Sequence, residues 1–118
     1  MAYCAGSLSL AALEYFVHVE TVDLPGDLVV IQAHLPDDAV LKLEISSLPK
    51  DWRDLPGPLS LQRIGDEWVQ ARRSVALAVP SAIIPSERNV LLNPAHPDMK
   101  RLRREEPEPF AFDRRMKR

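Results

Sequence analysis

Residues 74–98 read SVALAVPSAIIPSERNVLLNPAHPD, and the fold class turns on how this stretch is understood. Ser74 to Val79 is a short apolar run with β-branched Val75 and Val79, the composition of a buried strand, and Pro80 stops it because proline brings no N–H to a ladder. Asn89 to Leu92 forms a second such run, closed by the turn dipeptide Asn93-Pro94. Ser81, Ser86, Asn89, Asn93 and His96 punctuate the stretch from Val79 to Asp98, and four prolines stiffen it. A rigid segment bearing hydroxyls and amides suits ligand positioning. The same residues also serve as plain turn chemistry, closing backbone bonds, and the pattern alone favours that plainer reading.

Upstream, Leu59 to Arg72 has helical periodicity: Leu61, Ile64, Trp68 and Val69 fall near one face, with Gln62, Arg63, Asp66 and Glu67 mostly off it. Gly65 weakens that helix. Leu48 to Pro58 carries three prolines and Gly57 around Trp52 and is expected to be a surface loop pinned by one large aromatic. Leu28 to Leu35 (LVVIQAHL) and Val40 to Ile45 (VLKLEI) read as two strands separated by Pro36-Asp37-Asp38. In the second, alternation assigns Leu41, Leu43 and Ile45 to a buried face and Lys42 and Glu44 to the other. Leu8 to Val19 holds good helix formers without Gly or Pro, and Ser7 is placed to cap it. Together these elements predict an α+β single domain with small, bent mixed or antiparallel sheets and the first helix packed beside a cleft.

The whole chain has 118 residues, room for one domain and no separate catalytic one. Its 46% hydrophobic and 27% charged residues are the composition of a globular protein rather than a disordered one. A net charge of -2 gives no reason in bulk to expect nucleic acid or an anionic membrane as partner. The single cysteine, Cys4, cannot form an internal disulfide, which fits a reducing compartment; with no basic leader and no apolar run of spanning length, the expected location is cytoplasmic. Charge is uneven. Residues 1–69 hold 4 basic and 11 acidic groups, and residues 100–118 hold 8 basic and 4 acidic ones, flanking Phe110-Ala111-Phe112. Such an end can touch an acidic partner or nucleic acid, but mixed charge is more commonly a solvated terminus. Residues 1–112 are read as the domain and 113–118 as a basic tail.

No Walker loop, GxGxxG, HExxH, GxSxG or paired CxxC is present, and His18, His34, His96 and Cys4 lack metal-ligand spacing. Glu14 stands out, a carboxylate inside an otherwise apolar helix with His18 one turn later. Ser7, Ala11, Glu14, His18 and Thr21 form a stripe that either faces water or lines a cleft, and periodicity favours water. Tyr3, by type, is more often a partly buried structural aromatic than a binding platform.

Tyr3-x-Ala5 followed by Ala11-Ala12-Leu13-Glu14-Tyr15-Phe16-Val17-His18, then Gly65-Asp66-Glu67-Trp68 and the VPSAIIPSERN…LLNPAHPD block, resembles the RES domain family from Tyr3 through Phe112. The resemblance implies a fold similar to bacterial ADP-ribosyltransferases and the toxin half of an Xre-RES toxin-antitoxin pair, destroying NAD at its nicotinamide-ribose bond by phosphorolysis or hydrolysis. It implies Glu14 and Ser81 as catalytic residues, with Ser81 hydrogen-bonding the nicotinamide amide or a neighbouring ribose, and Tyr3, His18 and Asn93 as substrate-binding ones. NAD is then substrate and no cofactor or metal is needed; inorganic phosphate and an Xre-type helix-turn-helix antitoxin are the expected partners, without membrane or direct nucleic-acid binding. A catalytically inactive relative that only binds nucleotide or antitoxin, and an enzyme passing ADP-ribose to a protein, are compatible with the same residues. The family pattern also has an arginine and a Gly-Arg-Trp-Asn-like segment upstream of the position of Tyr3, where this sequence has only Met1 and Ala2. It is therefore read as an N-terminally truncated domain. Arg53, Arg63 and Arg88 are not at the matching place, and Val90 stands where relatives often carry tyrosine.

Overall fold

The two apolar runs of the 74–98 stretch pair with each other and organise the sheet. The computed structural model describes residues 2–18, 26–54 and 59–116. In chain order it has β1 (Ala2–Ala5), α1 (Leu8–Phe16), β2 (Leu28–Val30), β3 (Ala33–His34), β4 (Val40–Lys42), α2 (Leu59–Ala71), β5 (Ala76–Pro80), β6 (Arg88–Leu92), β7 (Arg103–Arg104) and β8 (Glu108–Phe110). Strands β1, β6, β5 and β4 lie side by side in that order. β6 is antiparallel to both neighbours, whereas β4 runs parallel to β5, so the sheet is mixed. The α+β class and the single domain expected from the pattern are what the chain adopts.

Alternation along β5 and β6 gives the sheet two apolar faces. Ala76 and Leu92 are register partners and join Ala39 and Val75 in one buried cluster, with Leu35, Val40, Val90 and Met99 against it. Leu77 and Leu91, one residue along, point the opposite way and pack under Trp68 of α2, with Leu43, Val69 and Val79. Ala76 to Pro80 and Val90 to Leu92 are therefore continuously apolar, because each run has covered residues on either side. Trp68 is buried without cost to its indole N–H, which donates to Ser74 Oγ at 2.8 Å, while the Ser74 hydroxyl donates to the Ala76 carbonyl at 2.7 Å.

Helix α1 begins at Ser7, whose Oγ accepts the Leu10 N–H at 3.1 Å. It ends at Phe16, earlier than the expected Val19, which lies outside the described residues together with Thr21. Gly6 makes the approach to the hairpin possible. Its N–H donates to the Arg88 carbonyl at 2.9 Å, and a Cβ there would sit 3.1 Å from the same oxygen.

Three expectations are corrected. Leu28 to Leu35 is two short strands, because the partner stretch is itself interrupted: β2 pairs with β8 and β3 with β7, with Glu105 to Pro107 between those partners. Val40 to Ile45 is a strand only to Lys42; β4 is an edge, the chain turns into a 3-10 segment at Ile45–Ser47, and Leu41 and Ile45 are 41% and 47% exposed. Only Leu43 of the expected buried face packs on the Trp68 cluster. The strand expected over Ser74 to Val79 runs instead from Ala76 through Pro80, which pairs with Arg88, because proline lacks only the N–H and keeps its carbonyl and extended backbone. Residues 103–112, the end of the expected domain, carry the paired strands β7 and β8, and the Phe112 ring lies 6.0 Å from that of Tyr15 and 5.9 Å from that of Phe16. Among the described residues no helix is long and apolar enough to cross a membrane.

Candidate active site

Glu14 projects from α1 toward the β5–β6 hairpin and is half-buried there. Its Oε1 accepts two hydrogen bonds, from Ser81 Oγ at 2.9 Å and from Asn89 Nδ2 at 2.9 Å. Oε2 has no hydrogen-bond partner among the described residues. One oxygen is thus held and the other is presented. Neither reading of the helix stripe holds throughout: Ser7, Ala11 and His18 are exposed, while Glu14 is turned onto the hairpin.

Ser81 is fully buried and its hydroxyl is saturated within the protein, so it holds Glu14 where the expected role was a hydrogen bond to nicotinamide or ribose. It spends its one proton on Glu14 and accepts the N–H groups of Ile83 at 3.1 Å and Ile84 at 3.2 Å. Those two backbone donors orient and polarise the hydroxyl, which strengthens its bond to the carboxylate. The turn after Pro80 is built around this atom, and the Ser81 N–H continues the hairpin by donating to the Glu87 carbonyl at 2.9 Å. A second clamp sits at the helix start, where Ser7 Oγ donates to Glu87 Oε1 at 2.8 Å. Helix α1 is therefore tied to the hairpin by polar contacts at both Ser7 and Glu14.

Tyr3 lies on β1 opposite Leu91, and Ala5 opposite Asn89. Register partners share a face, so Tyr3 and Asn89 project on the same side of the sheet. Tyr3 is 77% exposed. His18 follows the end of α1, exposed, and makes no hydrogen bond to Glu14 among the described residues. Asn93 lies at the far end of β6; it is buried, and its Oδ1 accepts the Ala95 N–H at 3.2 Å. The fold thus gathers Glu14 and Ser81, sets Tyr3 on the adjoining face, and leaves His18 and Asn93 apart from the carboxylate. Val90 points away from Asn89, into the cluster around Ala76 and Leu92.

Asn89 was visible in the sequence only as one polar residue among five in its segment. Its partnership with Glu14 spans 75 positions and depends on the hairpin register. Arg53 is the other residue that spacing did not bring to the site: its Nε–H donates to the carbonyl of Ala82, next to Ser81, at 2.8 Å.

A single α+β domain whose first helix offers a fixed carboxylate to a β-hairpin is the class of protein defined by this fold and site. The chain belongs to the RES domain family, whose model matches residues 1–113. It is 37% identical over 116 residues to a protein named Toxin Res from Yersinia enterocolitica, an alignment that covers 98% of this chain and 76% of that protein. It is 35% identical over 117 residues to the Prs ADP-ribosylating toxin of a Sphingobium species, covering 97% and 73%. A Toxin Res from Photorhabdus laumondii is 41% identical over 96 residues, covering 81% of this chain and 62% of the relative.

Proposed function

We propose that this chain is a toxin that cleaves the nicotinamide-ribose bond of NAD, with water or inorganic phosphate as acceptor, and that an Xre-type helix-turn-helix antitoxin neutralises it. The observation that carries the reading is Glu14, half-buried, with Oε1 bound by Ser81 and Asn89 and Oε2 facing no protein donor among the described residues. When the bond from C1′ to the pyridinium nitrogen breaks, its electron pair stays on nitrogen and nicotinamide leaves neutral, so no general acid is required. Positive charge develops instead on the ribose as an oxocarbenium ion. A carboxylate oxygen fixed beside that carbon stabilises the charge, an effect worth about 3 kcal/mol or more in a site that excludes water. An oxygen of water or phosphate then bonds to C1′ and releases its proton to solvent, giving ADP-ribose or its anomeric phosphate. In this reading Ser81 and Asn89 hold Glu14, and Tyr3 stacks on the nicotinamide or ribose.

The names of the relatives support the toxin class. The relative named as an ADP-ribosylating toxin favours a second reading, transfer of ADP-ribose to a protein acceptor, which shares the bond-breaking step. Incubation of the purified chain with NAD, with and without phosphate, is expected to release nicotinamide, and Glu14→Ala to slow release by about a hundredfold or more. No release by the unaltered chain sinks the enzymatic reading, and undiminished release by the variant sinks the role of Glu14. A mass increase of one ADP-ribose on added protein, in place of free ADP-ribose, decides for transfer.

A further inference from the structure

We infer that Arg53 is the anion-binding residue of this site, gripping the diphosphate of the dinucleotide whose ribose faces Glu14; the inference rests on the NAD reading above. Arg53 lies in the loop between β4 and α2, far from Glu14 and Ser81 in sequence. The loop is closed locally by Trp52 N–H to the Pro49 carbonyl at 3.1 Å and Asp54 N–H to the Asp51 carbonyl at 2.9 Å. From it the Arg53 side chain reaches the 81–84 turn, where Nε–H donates to the Ala82 carbonyl at 2.8 Å. This turn is the one whose Ser81 hydroxyl holds Glu14 Oε1. Consecutive Cα atoms are about 3.8 Å apart, so the arginine tether and the carboxylate's support are adjacent residues of one rigid turn.

The tether consumes only Nε. No ion pair among the described residues involves Arg53, and the residue is exposed, so both Nη groups are available to a ligand. Asp51 and Asp54 of the same loop are exposed and outside ion-pair distance of it. The other arginine at the hairpin is occupied: Arg88 donates to the Leu43 carbonyl at 3.1 Å and pairs with Glu44 at 3.4 Å. A guanidinium orientated through Nε presents its two Nη groups as a fork, the geometry that matches phosphate oxygens bidentately. In a nicotinamide dinucleotide the diphosphate is only a few bonds from the glycosidic carbon. A ligand with its ribose at Glu14 therefore carries its charge within a few bonds of the residue held by the turn on which Arg53 rests. Since residues 1–69 are predominantly acidic, a local cation is what allows a dianion to settle here.

The test compares NAD with nicotinamide riboside, which has the same scissile bond and no phosphate. Arg53→Gln keeps an N–H donor for Ala82 and removes the charge; Arg53→Ala removes both. The expected result is a KM for NAD raised about tenfold in both variants, with kcat and the KM for nicotinamide riboside within about twofold of the unaltered chain. Equal losses on the two substrates would mean that Arg53 merely braces the turn, and an unchanged KM for NAD would mean that it binds nothing; either overturns the inference. If the unaltered chain cleaves neither substrate, the NAD-cleaving reading fails, and ADP-ribose titrated calorimetrically decides the matter. Affinity weakened about tenfold by Arg53→Gln sustains the anion site, and no binding or equal binding overturns it.

Discussion

Glu14 illustrates how a carboxylate is aimed. With both oxygens free, the side chain would sample several rotamers; two donors on Oε1 leave one orientation, with Oε2 free of protein donors among the described residues. Ser81 achieves this through a hydroxyl that is itself fixed by two backbone N–H groups, and Asn89 through an amide on a paired strand. Loss of one hydrogen bond to a charged group corresponds to about 1.5–3 kcal/mol. Asn89→Ala is therefore expected to lower kcat for nicotinamide release by about tenfold or more with KM little changed, while far-UV circular dichroism stays as in the unaltered chain. An unchanged kcat would show that Ser81 alone suffices to aim the carboxylate.

At the scale of elements, α2 ends in an unusual way. Arg72, directly after Ala71, has φ 51°, the left-handed conformation that glycine takes without strain. It is held there from across the fold by His96, whose Nε2–H donates to the Arg72 carbonyl at 3.1 Å while Nδ1 accepts the Asp98 N–H at 3.0 Å. Both contacts use backbone or the histidine ring, so glycine at 72 leaves them intact. Arg72→Gly is expected to raise stability by up to about 1 kcal/mol, the relief of left-handed strain less the extra freedom of glycine in the unfolded chain. Thermal unfolding checks this by a midpoint higher by a few degrees; a lower midpoint would mean that the arginine side chain itself contributes.

Across the whole molecule, α1 is held from two directions. The hairpin grips it through Ser7 and Glu14, and the C-terminal segment covers it through Phe112, which packs on Tyr15, Phe16 and Phe110. Aromatic pairs of this kind each contribute about 0.5–1.5 kcal/mol beyond area. Phe112→Ala is expected to cost about 1–3 kcal/mol and to speed amide exchange in 8–16 more than in 76–80, which would show the C-terminal segment to be a brace for the helix that carries Glu14. Uniform acceleration would mean that the ring belongs to the general core. The start of α1 at Ser7, the amphipathic α2, the two apolar runs around Pro80 and Asn93 and the α+β class were all legible in the chain, because caps, periodicity and proline act over a few residues. The family, too, was legible in short motifs. The split of Leu28 to Leu35 was not, since strand limits there follow partners some seventy positions away. The extent of β4 depends likewise on its place at an edge. The site divides along the same line: Glu14 could be singled out as a carboxylate in an apolar helix, but the choice of Ser81 and Asn89 as its holders, and the arrival of Arg53 beside them, come from hairpin register and loop packing. Periodicity carries information about which face a side chain takes, and none about which distant face it meets.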